Sequence, residues 1–167
     1  VMGAYGPYAV PHFHLSHFPA DVGIPVGRWR GNEGVVGTFL LEMMVDEVAR
    51  ATGAEPLSFR RPLLTKHPRL LRCLSEVTRM AGWTGGVRGE DGRGQGLACA
   101  LFRGGAIAVV AEVEPDGDRV LVRRLSAMVD AGRIIHPDVA RQQVEGGMLF
   151  AAAAALSGDV NFIGGLP

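Results

Sequence analysis

Residues 96–129 read GLACALFRGGAIAVVAEVEPDGDRVLVRRLSAMV. Gly96 to Phe102 and Ala106 to Val113 are strand-length runs of small and β-branched residues. Pro115-Asp116-Gly117-Asp118 has hairpin-turn chemistry, and Val120 to Val129 forms the returning strand. Antiparallel strands are therefore predicted here. Immediately upstream, residues 84–95 hold five glycines with charged residues between them, which marks a loop between a helical half and a sheet half.

The helical half is punctuated by glycine and proline. Val36, Leu40, Met44 and Val48 recur at i+4 from Gly34 to Ala51, with Phe39 and Met43 beside them, as the apolar stripe of a helix. Glu42, Asp46 and Arg50 form a more polar stripe at the same spacing, and Asp46 is a favourable i+4 partner for Arg50. Gly53 ends that helix. Pro56 opens a short second helix, and Pro68 opens a third that runs to about Ala81 and closes at Gly82. Downstream, Pro137 opens a last helix to about Leu156. Its Gly146-Gly147 pair costs roughly 1 kcal/mol per residue relative to alanine, so a close neighbour or a kink is expected there. In the irregular first 27 residues, Tyr8 to Phe13 reads as an extended strand held to an edge by Pro11. The order is helical segment, antiparallel strands, C-terminal helix. The class is α+β, with a helical part at about 28–83 and a sheet-plus-helix part at about 96–157.

Composition excludes several functions. The 167 residues carry 17 Lys plus Arg against 17 Asp plus Glu, and this zero balance argues against nucleic acid and anionic membranes as partners. Only Cys73 and Cys99 occur, far apart, which leaves no disulfide framework or zinc knuckle; both read as packing residues. The longest apolar run, Met148 to Leu156, falls well short of the ~20 residues of a membrane span. A chain that begins at Val1 and stops at Gly164-Gly165-Leu166-Pro167 is expected to be a piece of a longer polypeptide.

Few residues carry obvious chemistry. His12, His14 and His17 cluster, but no carboxylate or cysteine completes a metal set beside them. Gly92-Arg93-Gly94-Gln95-Gly96 leads into a strand, whereas a phosphate loop opens a helix. Two stretches stand out. Pro25-Val26-Gly27-Arg28-Trp29-Arg30-Gly31-Asn32-Glu33-Gly34 sets glycines and two arginines before a helix start, whose unpaired N–H groups favour an anion or oxo group. Gln142-Gln143-Val144-Glu145-Gly146-Gly147 places amide side chains beside exposed backbone able to accept a heterocycle, or else marks a close helix crossing.

These stretches and their neighbours resemble the large subunits of molybdenum hydroxylases, the xanthine dehydrogenase and aldehyde oxidase family. The resemblance rests on Arg30-Gly31, Glu42, Asp46-Glu47-Val48-Ala49, and Pro56-Leu57 with Arg60. It continues through Ala111-Glu112-Val113, Val129-Asp130-Ala131-Gly132, His136-Pro137 and Gln143-Val144-Glu145-Gly146-Gly147, in the family's order. The small-residue style is most similar to the branch of bacterial isoquinoline 1-oxidoreductase beta subunits and membrane-bound aldehyde dehydrogenases. It implies that the whole chain, 1–167, is a fragment of a molybdopterin-binding domain. The parent enzyme would hydroxylate an N-heteroaromatic compound or oxidise an aldehyde, taking oxygen from water. Molybdopterin with molybdenum, in the cytosine dinucleotide form, is the implied cofactor. An iron–sulfur subunit and the remaining segments of the large subunit are the implied partners.

Carried onto this chain, the resemblance makes Arg30, Gly31, Gln143 and Gly146 cofactor-binding residues. Two departures matter. Asn32-Glu33 stands where relatives have a Phe-Gly whose ring stacks on substrate, and the family's catalytic glutamate, in a Gly-x-Gly-Glu motif, has no counterpart here. The fragment alone is therefore expected to be inactive, to hold no cofactor and to self-associate through exposed apolar surface. The rival expectation is a stand-alone, non-catalytic α+β interaction module.

Overall fold

Two tight turns build the sheet. In a computed structural model, Phe102 pairs with Gly105 across Arg103-Gly104, and Asp116 pairs with Arg119 across Gly117-Asp118. Arg103 and Gly104 both have positive φ, 48° and 80°, as a type I′ turn requires. At the second turn only Gly117 does, at 63°, the glycine-first pattern of type II′. This second turn is tighter than the sequence implied, because Pro115 and Asp116 stay in the strand. The structure describes residues 6–21, 23, 25, 27, 29–89, 91–158, 161 and 163.

Seven elements follow in order: α1 (Glu33–Ala51), α2 (Pro56–Leu63), α3 (Pro68–Ala81), β1 (Gly94–Phe102), β2 (Gly105–Asp116), β3 (Arg119–Asp130) and α4 (Pro137–Ser157). The strands form one antiparallel sheet in the order β1-β2-β3. The α+β class stands, with helices, then strands, then a helix. A bulge lies between Glu112 and Val113: Glu112 pairs with Arg124 and Val113 with Val122, leaving Arg123 as the extra residue.

Strand alternation turns Leu97, Cys99, Ala106, Ala108 and Val110 to one face, all buried. Leu70, Cys73, Leu74, Val77 and Ala81 of α3 pack on that face and complete the core. The helix ends expected from sequence are present. After α1, Gly53 (φ 68°) donates to Arg50 and Ala54 donates to Ala49, a Schellman closure. Gly82 (φ 65°) and Trp83 close α3 in the same way, on Arg79 and Thr78. Pro56, Pro68 and Pro137 each occupy a first helical turn.

Three expectations are corrected. The apolar stripe of α1 does not face the core: Val36, Leu40 and Met44 are 61%, 53% and 63% exposed, whereas Glu42 is 6% exposed and Ala49 is buried. Asp46 does not pair with Arg50, which instead bonds Glu47 at 2.6 Å. Tyr8 to Phe13 is not a strand; it is an irregular segment tied to the end of α2 by the Ala9 amide on the Leu63 carbonyl, 2.8 Å. The physical reason for all three is one buried ion pair, described below. Among the described residues, no helix is long and apolar enough to cross a membrane.

Candidate functional site

Behind the site lies a buried polar cluster that fixes where α1 begins and points. Arg60 on α2 is fully buried, and its guanidinium donates to Glu42 through Nη2 at 3.0 Å and Nε at 3.2 Å. Its Nη1 lies 2.7 Å from Asp46 Oδ1, an ion pair without hydrogen-bond alignment. Glu42 also accepts from the Tyr8 hydroxyl at 2.6 Å and from the Cys99 amide on β1 at 3.0 Å. Burial pushes the Glu42 carboxyl up, opposed by the Arg60 charge and the Tyr8 and Cys99 donors. Burial also pushes the Cys99 thiol up to about 12, so it stays a protonated packing group. One residue-level knot therefore joins the N-terminal segment, α1, α2 and the outer edge of β1. Glu42, Asp46 and Arg60, three of the motif positions singled out in the sequence, prove to be scaffold.

Other motif positions are scaffold too. Asp130 at the end of β3 takes both Arg69 nitrogens, at 2.7 and 2.9 Å, and accepts from the Gly132 amide. The Arg69 bonds hold its carboxyl down at about 2. His136 caps α4, its Nδ1 accepting from the Val139 amide at 3.2 Å. Sequence reasoning missed Glu55, which caps α2 through the Leu57 and Ser58 amides and accepts from the Trp83 indole at 2.7 Å. The signal was present: an acid directly ahead of Pro56, the helix's first residue.

The residues carried over as cofactor-binding lie at the surface. The Trp29 carbonyl accepts from the Asn32 amide, 2.9 Å, turning the chain into α1. Gly31 takes φ 85°, and a Cβ there would meet Val35 Cγ2 at 2.5 Å, so only glycine fits. Asn32 sits at φ 49°, ψ −139° as the N-cap, with no side-chain capping bond; the Gly34 and Val35 amides donate instead to the Gly31 and Asn32 carbonyls, each at 3.2 Å. On α4, Gln143, Gly146, Gly147 and Phe150 share one face at i, i+3, i+4 and i+7. This face meets the Trp29–Arg30 turn. Arg30 Nη2 donates to Gln143 Oε1 at 3.5 Å, the Arg30 guanidinium lies 5.6 Å from the Phe150 ring centre, and Trp29 lies 5.3 Å from the same ring.

Arg30 and Gln143 are thus brought together across 113 residues of sequence. Gly31 lies under the same turn. Gly146 faces open space, with nothing within 4 Å of where a Cβ would be, and Gly147 is approached by Arg30 Nη2 at 4.0 Å. The expected kink or close crossing at the diglycine is absent: α4 runs unbroken, and none of its described residues is buried. Arg28, the second arginine of the turn, lies outside the described residues, as do positions 164–167. Among the described residues, Arg30 has no carboxylate partner, so its charge is available to an anion. The described side chains are a guanidinium, a carboxamide, an indole and a phenyl ring. None exchanges a proton near neutral pH, so the arrangement binds and orients. Its donor set, a guanidinium and a carboxamide beside aromatic rings, fits a flat heterocycle bearing anionic groups.

Comparison with known proteins points the same way. The family described as molybdopterin cofactor-binding domain matches residues 74–164, from mid-α3 past the end of α4 and including Gln143 and Gly146. The beta subunit of isoquinoline 1-oxidoreductase from Brevundimonas diminuta is 29% identical over 160 residues, 93% of this chain and 20% of that protein. The second subunit of nicotinate dehydrogenase from Pseudomonas putida is 26% identical over 173 residues, again 93% of this chain and 14% of that protein. The chain spans a fifth or less of the length of these relatives. No solved structure matches it at the same stringency.

Proposed function

The chain belongs to the molybdopterin cofactor-binding domain family, and from that premise we propose that it forms one wall of the cofactor site in the large subunit of a molybdenum hydroxylase. Arg30 and Gly31 offer backbone and guanidinium donors on one side. Gln143 and the bare backbone at Gly146 receive the pterin on the other. The observation that carries this is the meeting of Arg30 with Gln143, two positions 113 residues apart that the resemblance assigns to the cofactor. Bound molybdopterin would supply a molybdenum centre that delivers water-derived oxygen to a substrate carbon and accepts two electrons.

The substrate class is an N-heteroaromatic compound or an aldehyde. The cofactor takes the cytosine dinucleotide form, and electrons leave through an iron–sulfur subunit. Relatives named for isoquinoline and nicotinate support the heteroaromatic choice. The chain's part is positioning: the described side chains at the wall hold no proton to exchange, and the base comes from a segment outside 1–167. The fragment on its own is inactive. The match of residues 74–164 to the molybdopterin cofactor-binding family favours this reading over a stand-alone interaction module.

The test is molybdenum and pterin analysis of the full-length subunit, wild type against Gln143→Ala and Gly31→Ala. Retention should drop roughly 10–100-fold in each variant, the size of loss typical when a supporting group at a metal site is removed. Unchanged molybdenum content in both would end the proposal.

A further inference from the structure

The outward face of α1 carries a contradiction that a site on α4 does not resolve. Helices of soluble domains bury their apolar stripe and wet their polar one. Here α1 buries Gly37, Glu42, Val45 and Ala49, with Glu42 6% exposed against the fully buried Arg60, and leaves a second, wider apolar stripe outside. Phe39 and Met43, 61% and 48% exposed, form a ridge with a groove on each side. One groove, about 380 Å³, is lined by Leu15, Leu40, Met44 and Val48. The other, about 300 Å³, runs between that ridge and the uncovered face of the sheet at Ala98, Val109 and Ala111.

We propose that this ridge and its two grooves are the docking surface for an apolar, uncharged polypeptide face supplied by the rest of the large subunit. The proposal rests on the function proposed above. Three observations select this occupant. The charges lining the two grooves are already paired, Glu47 with Arg50 at 2.6 Å in the first and Glu42 and Asp46 with Arg60 at 3.0 and 2.7 Å in the second, so neither groove offers a free charge to an ionic partner. A lipid surface would want basic residues, and the charged residues lining the two grooves, Glu42, Asp46 and Glu47, are all acidic. The relatives are five to seven times as long as this chain, so the covering face is available in the same polypeptide. Methionines at 43 and 44 adapt to an irregular partner, and the small residues Gly96, Ala98 and Ala111 let it approach the sheet closely.

The experiment expresses the tagged chain together with the polypeptide encoded on either side of it in its own gene, as a separate piece. Wild type should capture that piece in equal amounts. Leu40→Glu and Met44→Glu should each reduce capture by about tenfold or more. Both positions are exposed, so circular dichroism should stay unchanged; Val36→Glu, one turn earlier, replaces either variant that fails to fold. Arg79→Glu, on the exposed side of α3, should capture as wild type does. Undiminished capture by the α1 variants would overturn the proposal, as would a wild type that pairs only with a second copy of itself. Intact docking in a reassembled subunit that retains no molybdopterin would instead sink the cofactor reading and leave the docking surface standing. A gene with no coding sequence on either side would overturn both.

Discussion

At the scale of single residues, Glu42 and Arg60 decide more than any other pair. Removing one partner strands a charge in the interior, which typically costs about 3–5 kcal/mol. Glu42→Ala should lower the urea midpoint accordingly, and the double variant Glu42→Leu with Arg60→Met should recover most of the loss. A single-variant cost below about 1 kcal/mol would show that the guanidinium reaches water. Asp130 gives a pH signature. Its folded carboxyl is held down at about 2 by Arg69, below the ordinary unfolded value near 3.8. The contribution is therefore complete above about pH 4 and lost as pH falls toward 2. In acid titrations followed by fluorescence, Asp130→Asn should lose stability at neutral pH and show a shallower decline across that window. The local sequence could not announce Glu42: it sits in a stripe with Asp46 and Arg50 that looks solvated, and its partners Arg60 and Tyr8 lie 18 and 34 residues away.

Among the elements, boundaries were legible and faces were not. Pro56, Pro68, Pro137, Gly53 and Gly82 each act through φ alone, so their meaning survives without tertiary context. The two hairpins are equally local, fixed by Gly104 and Gly117. Which side of α1 turns inward depends on what else is available to cover it, and periodicity carries no such information. The diglycine of α4 shows the converse case, a costly local choice that the chain itself does not repay. Gly146→Ala meets no atom within 4 Å and gains roughly 1 kcal/mol of helix propensity. Hydrogen exchange along α4 should slow about fivefold in that variant. If Gly146 receives the pterin, the same substitution in the full subunit should cost cofactor retention. Exchange unaltered along α4 would mean that the helix opens only with the whole domain.

For the molecule as a whole, the core is a single unit of α3 on the sheet, and both thiols report on it. Cys73 and Cys99 are 2% and 3% exposed within one cluster. Neither should react with a thiol reagent at pH 8 until global unfolding, after which both should react together. Fast labelling of one in native buffer would reveal a core that opens in parts. The meeting of Arg30 with Gln143 is a property of this scale and was not legible from spacing; only the resemblance put the two in one sentence. Its span also bears on synthesis. α3 and the meander are local in sequence and can condense as soon as residue 130 has cleared the ribosome. The Trp29–Arg30 turn, made early, must wait for Phe150. A nascent chain thus holds one side of this contact for over a hundred residues of translation before the other is made, and whatever needs both sides has to wait for α4.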